Sequence, residues 1–106
     1  GVADDRFGDE LITKKGKIYK FDDIHCLLGF MKANTVPKEE QKSILFVDFE
    51  APHGFLEAEN VALLKSEDLR SPMGSNIAAF KNSVQLKESQ KKLGGEEVDW
   101  KSQASK

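Results

Sequence analysis

Apolar and polar positions first follow a two-residue period, then a helical one, then a two-residue one again. Over residues 7–14, Phe7, Leu11 and Thr13 fall on one face, which predicts a strand. Lys15-Gly16 supplies turn chemistry, and residues 17–21 read as a second strand, because Ile18, Tyr19 and Phe21 are β-branched or aromatic. Either carboxylate of Asp22-Asp23 can cap the next helix by accepting from free backbone N–H groups. Ile24, Leu27, Leu28 and Met31 then recur at i, i+3, i+4 and i+7, the core stripe of a helix closed by Asn34 and Pro37. Charged residues 38–42 read as a solvated loop, and residues 43–49 as a strand.

Ala51-Pro52-His53-Gly54 is turn chemistry at the midpoint, and after it the order repeats. Residues 55–65 are apolar enough for a strand, 66–74 form a loop around Ser71-Pro72-Met73-Gly74, and 76–81 form another strand. Asn82-Ser83-Val84-Gln85 has capping-box spacing, and the helix it opens runs to Leu93 before a Gly94-Gly95 stop. Residues 96–101 predict a last strand, with a frayed end from Gln103. Ile18, Phe21 and Asp23 superpose on Ile77, Phe80 and Asn82, and Val47-Asp48-Phe49 on Val98-Asp99-Trp100. The expected fold is α+β, a duplication of two ββαβ repeats (residues 1–52 and 53–106) forming one compact unit.

At 106 residues the chain suits one small domain, and its net charge of −2 provides no basic field for nucleic acid. No stretch approaches the roughly 18 apolar residues of a membrane span. One cysteine excludes an internal disulfide framework and a multi-cysteine zinc site within these residues. The first residue is Gly1 rather than Met, which reads as a trimmed or processed fragment.

Few residues offer chemistry. Cys26 falls in the first turn of the first helix, where partial positive charge favours a thiolate while Asp22 and Asp23 disfavour one. On a helical wheel it sides with Phe30, so it is either an inert core thiol or faces a second surface. His25, on the side of Lys32, should be partly exposed; it is a surface residue or a nitrogen ligand beside the thiol. Met73, between Pro and Gly, belongs to no strand or helix stripe. It is either a plug over the core or a soft ligand, and thiolate with thioether selects Cu(I) over calcium, magnesium or manganese. His53 lies in a turn and takes no role. There is no nucleophile elbow, phosphate loop or His-Glu-x-x-His, and Cys26 and His25, about 100° apart on a helix, cannot easily pair as a catalytic dyad. Lys14, Lys15, Lys17 and Lys20 surround the first hairpin as a solvated edge that discourages strand pairing.

Tyr19-Lys20-Phe21-Asp22-Asp23-Ile24-His25-Cys26 before an apolar helix resembles the NosL family of nitrous oxide reductase accessory proteins. So does the run from Ser71-Pro72-Met73-Gly74 to Phe80, with Phe7-Gly8 before the Leu11-Ile12 hairpin and the late Gly94-Gly95 and Trp100. The resemblance spans nearly the whole chain. It implies a duplicated ββαβ fold, also likened to that of organomercurial lyase, in a copper-binding lipoprotein of the bacterial envelope. Such a protein supplies Cu(I) to nitrous oxide reductase or its maturation machinery. By position it assigns the soft ligands to Cys26 and Met73, with His25 as a neighbour. Family members usually carry a metal motif with Cys and Met just before the first strand, and this chain starts at Gly1-Val2-Ala3-Asp4, where that motif would have ended. Hence Cu(I) is expected to be absent from the fragment, and membrane contact to run only through a lipid anchor upstream, in the periplasm or outer envelope. The competing reading is a non-metal interaction module of the same fold without catalytic activity. A thiol enzyme akin to the lyase would want more than the one cysteine present.

Overall fold

A computed structural model describes residues 4–105. Its first half runs β1 (Asp9–Thr13), β2 (Ile18–Phe21), α1 (Ile24–Lys32) and β3 (Gln41–Val47). The second runs β5 (Ala62–Lys65), β6 (Ile77–Phe80), α2 (Ser83–Leu93) and β7 (Glu96–Val98). The two ββαβ units share a strand order, β2-β1-β3 in one sheet and β6-β5-β7 in the other, every pair antiparallel. The expected duplication is therefore visible in the topology, and both helices start at the anticipated caps. Asp23 accepts from the His25 N–H and Asn82 from the Gln85 N–H. Gln85 does not complete a capping box, since its Oε1 has no partner.

Three expectations are corrected. Residues 55–65 are not one strand: β4 (Phe55–Glu57) joins the edge of the first sheet beside β3, a 3-10 turn comes next, and β5 starts the second sheet. Residues 38–42 are not all loop, because a 3-10 turn occupies Lys38–Glu40 and β3 begins at Gln41. The last strand ends at Val98, and Asp99 caps a short helix α3 (Trp100–Ala104) through the Ser102 N–H. That helix buries Gln103 instead of fraying there, while Trp100 sets its ring edge-on to Phe46 at 5.1 Å.

In the second sheet β5 and β6 are apolar on both faces, which explains why these two strands read as continuous hydrophobic runs, whereas β7 at the edge is exposed. Leu63, Ile77 and Ala79 join Leu11, Ile24, Leu27 and Phe46 in a core shared by both halves. Ala62, Leu64, Ala78 and Phe80 face the other way, onto Leu86 of α2, Leu69 and Phe7. The sheets are stitched where β3 ends: Asp48 bridges Ala79 in parallel, and the Phe49 N–H donates to the Ala79 carbonyl at 2.9 Å.

Among the glycines, Gly95 is the one that neighbouring backbone approaches most tightly. A Cβ there would lie 2.2 Å from the Lys65 carbonyl oxygen, at a φ of +85°. Gly16 also has positive φ but open space around it. Gly95→Ala should therefore cost more than about 2 kcal/mol and Gly16→Ala about 1 kcal/mol in urea unfolding.

Candidate metal site

The loop between β5 and β6 is closed on itself before it meets α1. The Ser71 N–H donates to Asn76 Oδ1 (3.1 Å), and the Asn76 N–H to Ser71 Oγ (2.8 Å). Arg70, Gly74 and Asn76 take φ of 47°, 83° and 55°, so the chain reverses sharply around Pro72-Met73. Met73 stands at the tip, 55% exposed. It is not the plug over the core that a loop methionine usually is.

This loop docks on one carboxylate. The Ser71 hydroxyl (2.6 Å), the Met73 N–H (2.9 Å) and the Ser75 N–H (3.2 Å) all donate to Asp23 Oδ2, and the Ser75 hydroxyl donates to Oδ1. Oδ1 also faces the His25 N–H at 3.5 Å, so the α1 cap and the loop anchor are one side chain, with no exposed surface. Burial alone would raise its pKa. The hydroxyls of Ser71 and Ser75, then the N–H groups of Ser75 and Met73, outweigh that and hold it below the ordinary carboxylate value.

Cys26, half-buried and free, lies in the first turn of the same helix, its N–H donating to the Asp23 carbonyl at 3.0 Å. Burial first, then the charges of Asp23, Asp9 and Asp22, push its thiol up from the ordinary value. The helix start therefore does not win the contest posed by the sequence; the thiol keeps its proton at neutral pH, and a metal must displace it. His25 is exposed, as its side of the wheel implies. His53 turns Nδ1 to the Asp48 carbonyl (2.9 Å), within its own turn. Asp23 thus brings the elements carrying Cys26 and Met73 to one place. Among the described residues no three of His, Cys, Asp and Glu group to hold a metal ion, so an ion here needs Met73 or donors from outside.

The sequence reading missed Asp9. It shares the buried face of β1 with Leu11 and Thr13, between Phe21 of β2 and Phe46 of β3 in register. The alternation that places Phe7, Leu11 and Thr13 on one face places Asp9 there too. It is 2% exposed and neither carboxylate oxygen has a hydrogen-bond partner. Burial, and then Asp23 and Asp22, push its pKa up to about 8. Ser71 and Ser75 were missed as well, although serines flanking Pro-Met-Gly are natural donors to a carboxylate. A groove of about 1170 Å³ elsewhere, between the end of α1 and α3, is lined by Met31, Lys42, Glu57 and Trp100. It is open, of mixed charge, and includes none of the sulfur or imidazole groups considered above, apart from the core-packed Met31.

Asp23→Ala strips a cap and four loop donors at once and should cost about 3 kcal/mol or more in chemical denaturation. The two buried acids have opposite pH signatures. Asp23, depressed in the fold, contributes stability that is present above its unfolded pKa and lost as pH falls through its folded one. Asp9, raised in the fold, binds its proton more tightly folded than unfolded, so stability falls as pH rises from its unfolded pKa of about 4 toward 8. The metal-free chain should melt lower at the top of that window than at its bottom, and Asp9→Asn should flatten that slope.

No protein-family model matches the chain, and no curated protein does. Among solved structures it is similar to the crystal structure of the copper chaperone NosL from Shewanella denitrificans. The match has a TM-score of 0.67 and 19% identity, covering 87% of this chain and 74% of that one. The chain has the NosL fold, as its Phe-Asp-Asp and Ser-Pro-Met-Gly motifs implied.

Proposed function

We propose that this chain is a Cu(I)-carrying accessory protein that receives and releases its ion at Cys26 and Met73. The observation that carries this reading is the Asp23 clamp. One buried carboxylate caps the helix of Cys26 and holds the backbone N–H of Met73 at 2.9 Å, so the two elements that carry these residues, 47 positions apart in sequence, meet at one side chain. A thiol and a thioether are soft donors suited to Cu(I). Few, accessible ligands are what stepwise transfer requires, because an incoming partner must displace them one at a time. Met73 meets that condition and Cys26 meets it in part. The solved structure with the same fold is described as a copper chaperone, which supports the reading. Delivery to nitrous oxide reductase or its maturation machinery belongs to the same proposal. So do a periplasmic or outer-envelope location and a lipid anchor upstream of these residues; these rest on the motif resemblance.

The competing reading makes the same fold a non-metal interaction module. Competition against a Cu(I)-specific chromophoric chelator separates them. Cys26→Ser and Met73→Leu should each weaken Cu(I) by about tenfold or more. His25→Ala should change it by less than about threefold, since the exposed imidazole projects from a neighbouring stripe. Wild-type affinity in both sulfur variants would leave the interaction module as the better account.

A further inference from the structure

β5 and β6 of the second sheet are covered on both faces, by α2 on one side and by the shared core on the other. The first sheet is covered on one face only. Leu11, Tyr19, Phe21, Ile44 and Phe46 turn toward the shared core. Strand alternation turns Ile12, Ile18, Leu45, Val47 and Phe55 the other way, and none of these five joins either core. α1 and Trp100 of α3 pack on the inner face and α2 on the second sheet, so among the described residues no α-helix lies over the outer one. The pairing sets the outer side chains in rows. Ile12 stands opposite Ile18, and Val47 opposite Phe55. Between these two pairs runs a row that crosses all four strands, Lys20, Glu10, Leu45 and Glu57, each in register with the next. Ile18, at the β2 edge, is 49% exposed, and Phe55, at the β4 edge, 55%. Large apolar side chains left bare on a patterned sheet face mark an interaction surface.

We propose that the outer face of the first sheet is a self-association surface whose occupant is the same face of a second copy of this chain. Charge selects that occupant. The row crossing the sheet carries Lys20 at the β2 edge and Glu57 at the β4 edge, opposite signs at opposite ends. A two-fold axis along the strand direction, between β1 and β3, lays β2 of one copy over β4 of the other and carries the row onto itself. Each Lys20 then meets Glu57 of the second copy, twice in one dimer, as an isologous contact requires. A partner of uniform charge would match one end of the row and oppose the other. Glu10 has Lys20 directly across the strand pair, so that lysine serves a carboxylate of each sheet when the faces close. Sheets packed face to face lie about 10 Å apart with strands within about 30° of each other, and the apolar side chains of both faces fill the gap. The face offers fewer side chains than the roughly 20–30 a side of a standard interface, so the dimer is transient, with a dissociation constant of about 0.1–1 mM. It lies across the sheet from α1, and pairing does not depend on the copper reading.

The test is sedimentation equilibrium of the chain from about 10 μM to about 2 mM, with a melting curve of each variant to report its fold. Wild type should pass from monomer toward dimer over that range. Glu57→Lys sets lysine against lysine across the interface, Phe55→Ser removes an apolar corner, and each should leave the chain monomeric throughout. Lys20→Glu should do the same. Mixed in equal amounts, Lys20→Glu and Glu57→Lys should dimerise as wild type does, because every contact between positions 20 and 57 in the mixed dimer again joins opposite charges. Lys20→Glu places two glutamates opposite each other at Glu10; should it fail to fold, Glu57→Lys and Phe55→Ser, both at exposed positions, decide the matter. The inference is overturned if wild type stays monomeric to about 2 mM, if Glu57→Lys or Phe55→Ser dimerises as wild type does, or if the two folded charge variants stay monomeric when mixed. Copper affinity enters none of these outcomes, so this inference and the copper reading can each fail alone.

Discussion

One carboxylate holds the two halves of this molecule in functional register. Asp23 has no exposed surface, yet its pKa lies below the ordinary value, because the loop around Met73 surrounds it with donors. Hydrogen bonds to a charged group are each worth roughly 1.5–3 kcal/mol, and removing their common acceptor strands the donors as well. The shared hydrophobic core brings the sheets together, but apolar contact is non-directional. It is the Asp23 anchor that specifies where along α1 the tip of the second half's loop must land.

Asp9 and Asp23 make a natural comparison. Both are aspartates buried within the same few turns of structure, and the charge of Asp23 adds to the cost of ionising Asp9. Their opposite shifts come from partners, since burial is common to both: Asp23 accepts from Ser71, Met73 and Ser75, whereas Asp9 sits between Phe21 and Phe46 with nothing to accept from. The fold shows that it can satisfy a buried carboxylate. Leaving a second one bare is costly, and the fold lowers that cost by holding Asp9 in its protonated form up to a pKa of about 8.

Local patterns were legible wherever the physics was local. The caps at Asp23 and Asn82, the stripe through Ile24 and Leu27, and the Gly94-Gly95 stop all depend on neighbours within a few residues, and they appear where the sequence puts them. Residues 55–65 were misread because nothing local reveals that β4 and β5 belong to different sheets; β4 is fixed by its pairing with β3. Likewise Trp100 reads as a strand residue until Phe46, far away in sequence, offers it an edge-on contact. Cys26 and Met73 could be singled out as chemical types. That a single aspartate serves both was invisible, since a helix cap and a loop anchor leave the same letter in the sequence.

The geometry also bears on why a carrier site would be built this way. Tight, permanent metal binding calls for several protein ligands locked on rigid elements; the described residues supply no group of three from His, Cys, Asp and Glu. What they lock instead is the backbone behind the two proposed ligands. The Met73 N–H is fixed on Asp23 while its thioether remains in solvent, and Cys26 stays half-covered on a capped helix. A held backbone spares much of the ordering cost when an ion arrives, and exposed sulfur lets a second protein take the ion away. Affinity can thus come from preorganisation and lability from exposure, two properties that a closed coordination shell cannot supply at once.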